Sequence, residues 1–123
     1  MIGTTAFEKA TTRATERVAE MRVFYPLARY VQAVGVQPTR YPDPAIGCHY
    51  KEQFPIGLQY LNAQVENGGP FLMGAHFSIA DCTLAAAIDF SYRHGVEALK
   101  DYAGLESWYE AVRARHAAVE ILL

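Results

Sequence analysis

From Ala6 onward, apolar side chains return every three or four residues: Phe7, Ala10, Ala14, Val18, Met21, Tyr25, Ala28 and Val31. That is the period of one face of a helix. The opposite face carries Glu8, Lys9, Arg13, Glu16, Arg17 and Glu20, which suits solvent or a neighbouring subunit. Pro26 falls inside the pattern. It has no N–H to give the preceding turn, so a bend is expected near Arg22–Tyr25. Gly35 is the natural stop. Met1 to Thr5 lie outside the period and are expected to be disordered.

Residues 36–45 hold Pro38, Pro42 and Pro44, which excludes helix interior and predicts a rigid surface connection. A second helical period runs through Tyr50, Phe54, Leu58, Leu61 and Val65, predicting a helix from Ala45 or Gly47 to Asn67. Pro55 and Gly57 weaken its first half and predict another kink. Asn67-Gly68-Gly69-Pro70 ends it, because a proline cannot continue what the glycines have turned.

The stretch Phe71–Phe90 reads as a short loop that delivers a buried helix. Ser78 and Asp81 have the S-x-x-D spacing of a capping box, with Phe77 and Cys82 at the two staple positions. From Ile79 to Phe90 the only charges are Asp81 and Asp89, so this helix is expected to be enclosed by protein. Cys82 then belongs in the core, and Asp89, if buried, needs a partner such as Arg93 or a backbone amide. The helix should reach about His94 and stop at Gly95. Val96–Tyr102 reads as a short helix. Gly104 separates it from a last helix, Leu105–His116, with Leu105, Trp108, Tyr109 and Val112 on one stripe. Residues 117–123 form an apolar tail packed on the domain or a neighbour. The fold class is all-α: one domain of about five helices, with one central buried helix.

Composition changes this picture little. The 123 residues are 51% hydrophobic and 20% charged, with net charge −2, which argues against nucleic acid or a membrane surface as partner. No apolar run is long enough for a membrane span, and no secretory signal is visible. Cys48 and Cys82 are too few and too far apart for a metal cluster or a C-x-x-C pair, and a reducing cytosol is the expected setting. Cys48 lies near a helix start and reads as a partly exposed thiol. His49, His76, His94 and His116 have no metal-ligand spacing, so no metal site is expected.

Three pieces in order then point to a family: Pro70-Phe-Leu-Met-Gly74, Phe77-Ser-Ile-Ala-Asp81, and Leu105-x-x-Trp108-Tyr109-x-x-Val112-x-x-Arg115. Together they resemble the C-terminal helical domain of cytosolic glutathione transferases, and the first helix resembles the long fourth helix of bacterial members. His116 departs from the proline many members carry there. The resemblance implies a partner domain of thioredoxin-like fold, which would supply the residue that activates glutathione. No βαβ pattern precedes Thr5, so this chain is expected to hold no catalytic residue and to be inactive by itself. Glutathione would be the co-substrate of the joined enzyme, a homodimer acting on a hydrophobic electrophile. A non-catalytic docking module, as in translation elongation factors and aminoacyl-tRNA synthetase complexes, is the alternative.

The family's electrophile pocket is lined partly by the middle of its first helix, which corresponds here to Met21, Arg22, Tyr25 and Arg29, with Tyr92 as a weaker candidate. Met21, Tyr25 and Arg29 are four residues apart and share a face. They read as an apolar wall bearing a phenol and a guanidinium, or else as core (Met21, Tyr25) and a surface ion pair (Arg29). Ser78 and Asp81 carry a structural role under either reading.

Overall fold

A computed structural model describes residues 2–34 and 43–122, with side chains to Arg115. The expected stop at Gly35, the proline connection at 36–42, His116 as a side chain and the packing of the 117–123 tail lie outside the described residues. Helix α1 (Ala6–Val18) passes without a break into a π-helical segment (Ala19–Phe24) and then α2 (Tyr25–Val34). Helices α3 (Pro44–Gly68), α4 (Ile79–Arg93) and α5 (Ala103–Leu122) follow. Among the described residues there is no strand, only an isolated bridge between Phe71 and Gly74. The molecule is all-α. The α1–α2 rod lies against α3, α4 crosses the rod, and α5 rests on α3 and α4.

Thr4 and Thr5 fall in the stretch expected to be disordered. Here the backbone N–H groups of both donate to Glu8 Oε2, at 2.7 and 3.3 Å, while Thr5 Oγ1 accepts from the Glu8 N–H at 3.1 Å. The disturbance near Pro26 is a widened turn. The Tyr25 N–H donates to the Glu20 carbonyl five residues back, the π pattern. One extra residue in that turn resets the face of the rod. The buried stripe is Thr12, Thr15, Ala19, Val23, Leu27 and Val31. The stripe read from the sequence is therefore corrected: Phe7 is 79% exposed, and Met21 and Tyr25 about half exposed.

Helix α3 keeps its helical assignment through Pro55 and Gly57 for all 25 residues, so the expected kink does not interrupt it. It begins under an Asp43 cap, whose Oδ1 accepts from the Ala45 and Ile46 N–H groups at 3.0 and 3.3 Å. Gly57 is needed for contact rather than for flexibility. A Cβ added there would lie 2.5 Å from the Arg22 carbonyl oxygen. That carbonyl faces Pro26 one turn on, which has no N–H to offer it. Gly104 likewise lets α5 approach α3, where Asn62 Oδ1 accepts from the Leu105 N–H at 2.9 Å.

Two further expectations are corrected. Val96–Tyr102 is not a helix but a run of turns closed by short-range bonds such as Tyr102 N–H to the Leu99 carbonyl at 3.0 Å. The segment is held by burying Ala98 and Leu99. The last helix starts at Ala103, so Gly104 lies inside it, and it continues to Leu122.

The core joins Val23, Leu27, Leu58, Leu61, Leu84, Ile88, Leu99, Leu105 and Trp108, all fully buried or nearly so. Full burial of each large side chain contributes about 1.5–3 kcal/mol. Helix α4 is central but not enclosed. Ala80, Leu84, Ala87, Ile88 and Ser91 are buried, while Cys82, Ala86 and Asp89 are exposed.

Candidate functional site

Helices α2 and α3 run antiparallel on either side of residues 35–42, so positions about equally far from that connection meet. Arg29 and Tyr50 are such a pair: the guanidinium carbon stands 5.9 Å from the Tyr50 ring centre. Tyr25, one turn earlier on α2, meets the same ring edge-on at 6.0 Å. Met21 and Arg22 extend the wall along the rod, both exposed. The core reading of Met21 and Tyr25 is thus overturned. The ion-pair reading of Arg29 finds no described carboxylate, because the described residues form one salt bridge, Arg17–Glu20. Tyr50 joins this cluster although its sequence position suggested only core. The signal for it was the helix-to-helix register.

A hydrogen bond with the Tyr50 hydroxyl, more than any other cause, pushes the Tyr25 phenol above its usual pKa, and Arg29 pulls weakly the other way. Tyr25 is therefore a neutral hydroxyl at physiological pH. With its hydrogen shared with Tyr50, it is a poor source of phenolate for activating a thiol.

Tyr92 stands elsewhere. Its ring meets Tyr109 of α5 edge-on at 5.6 Å. Burial, then Glu106 and Glu97, push its phenol upward. The Tyr109 hydroxyl bonds Asp89, and Arg113 lies over the Tyr109 ring at 5.6 Å. Burial first, then the Asp89 bond, push the Tyr109 phenol up to about 12. Asp89 is thus exposed and served by Tyr109, not buried against Arg93.

Ser78 and Asp81 form a closed structural node. Asp81 is fully buried, and its carboxyl accepts from Leu72 N–H (2.9 Å), Trp108 Nε1–H (2.8 Å), Ser78 N–H (2.9 Å) and Ser78 Oγ–H (3.2 Å). With its oxygens taken by donors and water excluded, it is placed for holding three segments together, not for moving protons. Phe77 packs edge-on against Phe71 at 5.6 Å, under the Arg115 guanidinium at 4.5 Å. Cys82 is exposed, not core: two residues from both Ala80 and Leu84, it faces the far side of α4. Partial burial, then Asp81, raise its thiol pKa.

A cavity of about 660 Å³ lies where the start of α1 meets the 71–78 loop, lined by Phe7, Glu8, Phe71, Met73, His76 and Arg115 among others. A smaller cleft between the π-helical segment and α4 is bounded by Glu20, Phe24, Cys82 and Ala86. Among the described residues no three His, Cys, Asp or Glu side chains gather as metal ligands. No described helix is long and apolar enough to cross a membrane.

The family model "Glutathione S-transferase, C-terminal domain" matches residues 43–119. Glutathione S-transferase 2 of Saccharomyces cerevisiae is 21% identical over 126 residues, which span 99% of this chain and 54% of that protein. The crystal structure of Gtt2 from the same yeast superposes with a TM-score of 0.80 at 21% identity, over 92% of this chain and 56% of that one. A glutathione S-transferase domain-containing protein of Marinobacter aquaeolei VT8 gives a TM-score of 0.79 at 24% identity, over 93% and 57%. At these identities the structures speak for the fold. The chain spans about half the length of the relatives it matches. The family match covers more than half of this chain, and the protein belongs to the glutathione S-transferase C-terminal domain family.

Proposed function

We propose that this chain is the electrophile-binding half of a glutathione-conjugating enzyme. The observation that carries the reading is the wall of exposed Met21, Arg22 and Tyr25 with half-buried Arg29 and Tyr50, on a chain of this family. A thioredoxin-like domain would present glutathione as its thiolate, and the thiolate would attack an electrophile held against this wall. The helical half supplies position and the exclusion of water, not the base, in keeping with a Tyr25 phenol that stays protonated. The working form would be a cytosolic homodimer. Tyr92 has no part in this wall.

Calorimetric titration of the chain with glutathione is expected to give millimolar or weaker binding and no conjugation. Tight binding with turnover would sink the division of labour. The exposed Ile56 and Tyr60 on α3 favour the second reading, a docking module. That reading would gain if the chain joined to a thioredoxin-like domain of its family still conjugated no electrophile.

A further inference from the structure

Arg29 forms no salt bridge among the described residues. Its Nε is the one buried side-chain polar atom, among the described residues, with no hydrogen-bond partner. An N–H removed from water with no acceptor is destabilising, and more so on a charged group. Nε itself is closed to solvent, and the side chain is half-buried, so an incoming acceptor would meet the guanidinium at its outer N–H groups. The guanidinium fork fits a planar carboxylate or a sulfonate through parallel N–H···O bonds. Tyr25 and Tyr50 stand beside it as aromatic faces for a flat apolar body. No described carboxylate pairs with Arg29 to oppose an incoming anion.

We propose that the Arg29–Tyr25–Tyr50 cluster selects electrophiles that carry a carboxylate or sulfonate on a flat aromatic or conjugated body. The inference rests on this wall being the electrophile side of the site.

The test is a fluorescence titration of the chain with two matched probes, an anilinonaphthalene sulfonate and the uncharged phenylnaphthylamine. The sulfonate is expected to bind about tenfold more tightly, and Arg29→Gln to abolish that advantage while the neutral probe changes less than about twofold. Equal binding of both probes to the wild-type chain, or an advantage that survives Arg29→Gln, overturns the proposal. A salt series on the wild-type chain needs no variant. Salt should weaken the sulfonate and spare the neutral probe, and equal insensitivity overturns the proposal. Tyr25→Ala separates the two levels. If the neutral probe binds and is lost in that variant, the wall stands, and missing anion selectivity then sinks the anionic class alone. If neither probe responds to Tyr25→Ala, the wall itself fails.

Discussion

The Trp108 indole N–H donates to Asp81 Oδ1 at 2.8 Å, tying the last helix to the cap of the central one across 27 residues of sequence. The same oxygen accepts the Leu72 N–H at 2.9 Å, so the loop before the cap is held at the same point. One carboxyl therefore organises the 71–78 loop, the start of α4 and the middle of α5.

Asp81→Ala leaves the Trp108, Leu72 and Ser78 N–H groups without their acceptor in a dry interior. With buried bonds to a charged group contributing about 1.5–3 kcal/mol each, and partial relaxation, a loss of about 4 kcal/mol is expected. Trp108→Phe keeps most of the ring volume and should cost about 1–3 kcal/mol. Urea unfolding measures both. A loss under about 1 kcal/mol for Asp81→Ala would show that the node is redundant.

Gly57→Ala puts a methyl 2.5 Å from the Arg22 carbonyl oxygen, so the α1–α2 rod and α3 must separate. Overpacking of this kind costs about 1–3 kcal/mol. Gly68→Ala, with nothing within 4 Å, should instead stabilise the end of α3 by about 0.4–1 kcal/mol by restricting the unfolded chain. Thermal melts of the pair give opposite signs if backbone contact is the reason for Gly57, and the same sign if glycine there is incidental.

The Tyr109 phenol, pushed up to about 12 by burial and then by its bond to Asp89, holds its proton longer folded than unfolded. For a raised pKa the stabilisation is complete below the unfolded value of about 10 and is lost as pH climbs through the folded value. Stability should fall between about pH 10 and 12 in the parent, and fall less in Tyr109→Phe. Tyr25, Tyr92 and Tyr102 are also raised, so absorbance at phenolate wavelengths should lose its step near pH 12 in this variant while those three still titrate above the ordinary value. A wild-type titration with no step above about pH 11 argues against the pairing.

Cys82 lies on the open side of α4 with its thiol pKa raised, first by partial burial and then by Asp81. Because the thiolate is the reactive form, alkylation of Cys82 should be slow at neutral pH and accelerate only above the ordinary thiol range. Mass spectrometry of the modified peptide against pH checks this. Rapid neutral-pH labelling would refute it.

Much of the fold is legible in the sequence because its signals are local. Three- and four-residue apolar steps mark the helices, Asn67-Gly68-Gly69-Pro70 stops α3, and Gly95, at φ +79°, follows the end of α4. Serine and aspartate three residues apart specify a helix start wherever they occur. The C-terminal-domain resemblance rests on the same local pieces.

Other features follow only from contacts between segments. Nothing local separates the stripe through Phe7, Met21 and Tyr25 from the one through Thr12, Ala19, Val23 and Leu27; packing against α3 and α4, with the π turn, selects the second. Asp89 and Cys82 look buried in a helix with few charges, but α4 has an open side among the described residues. Arg29, Tyr25 and Tyr50 meet only because two helices fold back on each other. The sequence by itself determined the long helical segments and the Ser78 cap, because those choices turn on neighbours within a turn or two, but not the turns at Val96–Tyr102. The tertiary structure alone decided which face is core and which side chains form the wall, because burial is a relation between helices.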